Sequence, residues 1–97
     1  MSITVNIYYT GKNGNARLFA EEMLLSGTVD LIRAEEGNES YDYFFPADDT
    51  ETVLLIDRWS SQGALDFHHG TEMMKKIAEL RRKYDLQIRI EKYTEIE

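Results

Sequence analysis

The order in which strand-like and helix-like hydrophobic periods follow one another constrains this chain more than any other feature. Apolar residues recur at every second position in four segments and at every third or fourth position between them. The predicted strands cover residues 3–9, 41–45, 53–59 and 86–93, and the predicted helices cover 16–24, 29–36, a short segment after Ser60 or Ser61, and a longer one after Thr71. The predicted order is therefore β-α-β-β-α-β, with each helical region divided in two.

This order predicts an α+β fold, a ferredoxin-like βαββαβ antiparallel sheet with its helices on one face. One layer of helices leaves the other face of the sheet uncovered. We expect that face to carry an apolar set of alternating residues, either Ile3, Val5 and Ile7 or Ile88 and Ile90. Such a surface favours self-association, so the sequence predicts a homodimer formed through the sheet faces.

Composition narrows the classes of protein. A chain of 97 residues corresponds to a single domain, 1–97, and its formal net charge of −7 argues against binding to nucleic acid. Without cysteine there is no disulfide, thiolate metal site or cysteine nucleophile. No apolar run approaches a membrane span, and the N-terminus does not resemble a signal peptide, so we expect a cytoplasmic protein without a membrane partner.

The two histidines are the first candidates for chemistry. His68 and His69 are neighbours and point about 100° apart on a helix, which does not suit binding of one metal ion, so no metal site is predicted. His68 shares a helix face with Ala64 and Leu65 and should point inward. It is either a structural histidine bonded to a backbone carbonyl or a pocket histidine that binds or deprotonates a phenolic substrate.

Asn6 is the second candidate for a catalytic residue. It alternates with the apolar residues of the first strand, and therefore faces either solvent or the helices. If it faces the helices, its amide needs hydrogen-bond partners, which a polar ligand can supply. The hypothesis is that Asn6 and His68 converge in one pocket beneath the helices.

Aromatic residues make up 11% of the chain and supply candidate substrate contacts. Trp59 ends the third strand and is either a packing residue or a wall for a flat ligand. The other candidates are Tyr8, Tyr43, Phe44 and Tyr93. Packing of aromatic side chains within the core explains their number equally well.

Several of these residues together resemble the antibiotic biosynthesis monooxygenase family. The likeness lies in Glu35-Glu36-Gly37-Asn38 before Tyr41-Asp42-Tyr43-Phe44, in Trp59 at the end of the third strand, and in Ala64-Leu65 with His68 in the following helix. The order of strands and helices is also that of the family, so the resemblance covers essentially the whole chain.

The resemblance implies a dimeric α+β barrel, with a pocket in each subunit between sheet and helices. It also implies a cofactor-independent monooxygenase or quinol-modifying enzyme that acts on a small aromatic such as a phenol or quinone, with no metal, flavin or haem. A haem-degrading branch of similar fold shares only Asn6 of its three functional residues, so haem degradation is not predicted. The alternative is a non-catalytic dimeric ligand-binding or stress-associated protein of the same fold.

Overall fold

A computed structural model describes residues 1–95 and contains the elements in the predicted order. They are β1 (Ile3–Thr10), α1 (Asn15–Leu25), α2 (Thr28–Arg33), β2 (Asn38–Phe44), β3 (Thr52–Trp59), α3 (Gln62–His69), α4 (Glu72–Lys83) and β4 (Gln87–Thr94). The strands form one antiparallel sheet in the order β2-β3-β1-β4. The α+β ferredoxin-like fold is therefore confirmed. Within residues 1–95, no helix has the length and apolar character needed to cross a membrane.

The helices pack on one face of the sheet, and the alternation of β1 shows which one. Ile3, Val5 and Tyr9 are buried under the helices, and Ile7 packs against the same core. Their partners on the central strand β3 are Trp59, Asp57, Leu55 and Val53, which are all buried as well. The core thus lies between this face and the inward sides of the helices, where Phe19 and Met23 of α1 are fully buried.

The prediction that Val5 and Ile7 face a partner subunit is wrong, because the helices cover that side of β1. Ile88 of β4 also packs against the helix-side core, while Ile90 on the same side is 56% exposed at the sheet edge. Alternation in a strand separates two sets of residues but does not say which set the helices cover. In β1, the more apolar of the two sets, which includes Val5 and Ile7, faces the helices.

The opposite side of the sheet, which we call the open face, carries a mixture of apolar and polar side chains. By register its members are Thr4, Asn6, Tyr8, Thr10, Ser40, Asp42, Phe44, Thr52, Leu54, Ile56, Arg58, Gln87, Arg89, Glu91 and Tyr93. Phe44 is 49% exposed and Tyr93 52% exposed. Large apolar side chains on an uncovered sheet are the mark of an interaction surface.

Candidate functional site

His68 forms a buried pair with Glu35. Nδ1 of His68 lies 3.1 Å from Oε2 and 3.2 Å from Oε1 of Glu35, and the two side chains are only 5% and 6% exposed. A carboxylate oxygen accepts hydrogen bonds, so in this arrangement Nδ1 carries the ring hydrogen and its N–H donates to Glu35. Nε2 is then the ring nitrogen that can accept a proton from another molecule.

Gly37 brings the Glu35 segment against α3. Its φ is +86°, which favours glycine, and a Cβ at this position would overlap Cβ of Ala64 and approach Oγ of Ser60 to 2.9 Å. The carbonyl of Gly37 also accepts a hydrogen bond of 2.8 Å from the Ser60 amide. The glycine of the Glu35-Glu36-Gly37 segment therefore permits the close contact that places Glu35 beside His68.

Trp59 connects His68 to a second buried acid. The Trp59 and His68 rings stack with their centroids 4.6 Å apart and an angle of 25° between their planes. The indole Nε1–H of Trp59 donates to Oδ2 of Asp57 at 2.7 Å. Glu35, His68, Trp59 and Asp57 thus form one continuous buried group, which we call the acid–histidine cluster.

Asp57 is a site residue that the sequence reasoning missed. It lies between Leu55 and Trp59 on the buried side of β3 and is 3% exposed. A carboxylate on the buried side of a strand is costly unless it has partners. The signal available in the sequence was a charged residue at a position where the alternation of β3 requires an apolar one.

Burial raises the pKa of Asp57 to about 6. The hydrogen bond from Trp59 and the electrostatic interaction with His68 act in the opposite direction and offset part of this increase. The second oxygen, Oδ1, is buried and has no hydrogen-bond partner among residues 1–95. The group is therefore mostly ionised at neutral pH, with one oxygen held by Trp59 and the other free to accept.

The raised pKa predicts how Asp57 affects stability. The folded protein keeps the Asp57 proton up to about pH 6, whereas the unfolded chain releases it near the ordinary value of 3.8, so this residue destabilises the fold as pH rises through that window. We therefore expect the free energy of unfolding of Asp57→Asn, measured relative to that of wild type, to increase by about 2–3 kcal/mol between about pH 3.5 and about pH 7. Urea unfolding of both proteins at each pH measures it, and a difference that does not change with pH would contradict the prediction.

Aromatic side chains fill the interior beside this cluster. Tyr9 and Phe19 pack with ring centroids 4.6 Å apart, and Tyr43 meets Phe19 at 6.4 Å and Tyr41 at 6.0 Å, both edge to face. Burial raises the pKa of Tyr9, Tyr41 and Tyr43, so all three hydroxyls remain protonated. Oη of Tyr43 is buried without a partner within the described range.

The structure divides the predicted site residues between the two sides of the sheet. His68, Trp59 and Tyr43 lie on the helix side and belong to one region. The others, Asn6, Tyr8, Phe44 and Tyr93, lie on the open face. The hypothesis that Asn6 and His68 converge beneath the helices is therefore wrong, since Asn6 alternates with the helix-facing residues of β1 and pairs with Ile56 and Glu91.

A cleft of about 510 Å³ lies between the Glu36-Gly37 segment and the start of α3. Its lining residues are Glu36, Gly37, Ser60, Ser61, Ala64 and Phe67. Glu36 and Phe67 are the chain neighbours of Glu35 and His68, but the four residues of the cluster are not among those that line the cleft. Among residues 1–95, no three His, Asp or Glu side chains are grouped to hold a metal ion.

Comparison with known proteins agrees with this architecture. The profile of the family described as "Antibiotic biosynthesis monooxygenase" matches residues 2–80. The protein named "Putative monooxygenase YcnE" from Bacillus subtilis (strain 168) is 38% identical over 53 residues, which is 52% of this chain and 56% of that protein. The chain is therefore matched to little more than half the length of this curated relative.

Solved structures show the same fold. A conserved protein from Methanosarcina mazei Go1 superposes with a TM-score of 0.84 at 22% identity, covering 99% of this chain and 94% of that one. SnoaB, a cofactor-independent oxygenase from Streptomyces nogalater, superposes with a TM-score of 0.80 at 14% identity and the same coverage.

The strand order and the single layer of helices define a ferredoxin-like α+β domain, and these solved structures share that fold. With its profile matched over residues 2–80, the chain belongs to the antibiotic biosynthesis monooxygenase family.

Proposed function

We propose that this chain is a cofactor-independent monooxygenase that acts on a small hydroxylated aromatic, with His68 as the base. Family membership and the named activities of YcnE and SnoaB support the reaction class. The substrate would enter from the cleft lined by Ala64 and Phe67 and reach His68 from there.

The observation that carries this proposal is the buried His68–Glu35 pair stacked on Trp59. A buried pair of ionisable side chains contributes little net stability and is often matched or exceeded by apolar residues of similar volume. A 97-residue chain has a small core, and placing two carboxylic acids and a histidine in it costs stability that apolar residues would not. Their presence favours a role in binding or proton transfer.

The chemistry follows from the tautomer that Glu35 imposes. Nε2 of His68 takes the proton of a substrate hydroxyl, and Glu35 stabilises the imidazolium that results. The deprotonated aromatic is electron-rich and reduces O₂ directly. For a naphthohydroquinone, one O₂ is consumed, one oxygen atom forms the new ring hydroxyl of a hydroxynaphthoquinone, and the other leaves as water with the two hydrogens released.

We further propose that the protein is a homodimer joined through the open face. Leu54 and Ile56 of the inner strand β3 are half-buried there. The more exposed Phe44 pairs with Leu54, and Tyr93 is exposed on the opposite edge strand β4. Because the helices occupy the other side of the sheet, a second copy can cover this surface without obstructing the cleft beside α3.

Oxygen uptake tests the proposed activity. We expect wild-type protein, treated with a chelator and free of added cofactor, to accelerate O₂ consumption with at least one member of a panel of phenols, hydroquinones and naphthohydroquinones. An electrode measures the rate above that of the buffer, and mass spectrometry after ¹⁸O₂ labelling should find one labelled oxygen in the product. No acceleration with any member would refute the proposal.

The packed interior is the observation that favours the non-catalytic alternative. Tyr9, Phe19, Tyr41 and Tyr43 fill the space next to His68, which is itself 4% exposed. A ligand-binding protein of this fold would bind an aromatic and alter Trp59 emission without consuming O₂. The oxygen-uptake measurement and a binding titration together separate the two functions.

A further inference from the structure

Asp57 holds an acceptor that the proposed proton transfer does not use. Oδ2 is occupied by the indole N–H of Trp59 at 2.7 Å, whereas Oδ1 is buried and has no partner among residues 1–95. The residue is 3% exposed and lies on the same side of β3 as Trp59, against which His68 stacks. A buried carboxylate oxygen without a donor is costly, and its presence indicates that a donor is expected there.

The orientation of this carboxylate is fixed. Trp59 is fully buried, and its Nε1–H can only donate, so it always holds one oxygen of Asp57. The other oxygen therefore presents an acceptor and never a donor while the group is ionised. A ligand atom that meets it must carry a hydrogen.

We propose that Oδ1 of Asp57 is a specificity-determining acceptor that selects the hydroxyl form of the aromatic ligand over its carbonyl form. This inference rests on the proposed function, in which the ligand lies against the acid–histidine cluster. A hydroquinone can donate an O–H to Oδ1. The corresponding quinone brings a carbonyl oxygen to the same place, and two acceptors repel each other.

The same geometry has a consequence for turnover. Oxidation converts a donor on the ring into an acceptor, so the product loses its hydrogen bond to Asp57 at the moment it forms. Asp57 then favours binding of reduced substrate and release of oxidised product. Oδ1 of Asp57 alone would therefore distinguish the reduced ligand from the oxidised one, without any change in the shape of the site.

An anaerobic binding experiment tests the inference. Without O₂ there is no turnover, and isothermal titration calorimetry gives the affinity of 1,4-naphthohydroquinone and of 1,4-naphthoquinone for the same protein. We expect wild type to bind the hydroquinone about tenfold or more tightly than the quinone, as loss of a hydrogen bond to a charged group implies. Equal affinities, a preference for the quinone, or no binding of either form would overturn the inference.

Asp57→Asn is the decisive variant. Trp59 would continue to donate to the amide oxygen, so the amide NH₂ would occupy the position of Oδ1 and turn the acceptor into a donor. We expect the preference to reverse in favour of the quinone. A variant that keeps the wild-type preference would overturn the inference.

The matched control is Asp66→Asn, which removes the same charge from an exposed residue of α3 that accepts from Gln62. It should keep the wild-type ratio of affinities, and a reversal in this variant would also overturn the inference. The wild-type ratio needs no variant, so the test stands even if Asp57→Asn does not fold. Redox selection without O₂ uptake in air would refute the proposed oxygenase and leave the role of Asp57 intact.

Discussion

Replacing His68 by glutamine should lower the rate of O₂ consumption about 10²–10⁴-fold, the range expected when a general base is lost. The glutamine amide can still donate to Glu35, which in wild type receives Nδ1 at 3.1–3.2 Å, but it has no basic nitrogen to take the substrate proton. Substitution by alanine would be a poorer test, because it leaves Glu35 buried without its partner and destabilises the fold. The measurement is turnover per folded molecule with the best substrate of the panel.

His69→Gln is the matched control for this prediction. His69 is the next residue of α3 and is exposed, so the same substitution there should leave the rate close to that of wild type. If His68 has only a structural role, His68→Gln will lower the melting temperature and keep the turnover of the molecules that remain folded. That outcome would remove His68 from the proposed mechanism.

Replacing Ile56 by aspartate should convert the proposed dimer into a folded monomer. Ile56 lies at the middle of the open face, paired with Asn6 of β1 and Asp42 of β2, and is half-buried in the single chain. A carboxylate there stays partly hydrated in the monomer, but a covering subunit would bury it without a partner at a cost of several kcal/mol. Sedimentation equilibrium at micromolar concentration should give twice the chain mass of 11.3 kDa for wild type and the chain mass for the variant.

Leu31→Asp is the control for the assembly experiment. Leu31 is an apolar residue of α2, 58% exposed on the helix side, and the same change there should leave the dimer intact. Wild-type protein that sediments only as an 11.3 kDa species would contradict the assembly proposed through the open face.

The order and type of the elements could be predicted because each carries its own hydrophobic period. The strand from 53 to 59 and the helix with Ala64, Leu65 and His68 stand out from local spacing alone, and His68 is buried as that spacing requires. The sequence left open whether Asn6 faces solvent or the helices, and the expectation that Val5 and Ile7 lie on the uncovered face was wrong. A period-2 pattern distinguishes two faces of a strand but does not say which one is covered. Whether Val5 or Asn6 faces the helices depends on the side of the sheet on which the helices cross, which is a property of the whole chain.

The site was partly predictable for a similar reason. Trp59 and His68 could be identified as candidate site residues from their residue types and positions. The pairing of His68 with Glu35 could not, because it joins positions 33 residues apart and depends on the close contact between Gly37 and Ala64. Asn6 was attractive as a polar residue in an apolar strand, yet the informative polar residue was Asp57, which breaks the alternation of β3 on the buried side.

The alternation of β3 has a consequence for how such a protein can change during evolution. Leu54 and Ile56 point to the open face, while Asp57 and Trp59 point to the helices, so residues of the proposed dimer interface and of the acid–histidine cluster come from one strand of eight residues. Substitutions can alter either set without touching the other. Insertion or deletion of one residue would exchange the two sets, so a change of length in this strand should affect both properties, whereas a substitution should affect only one.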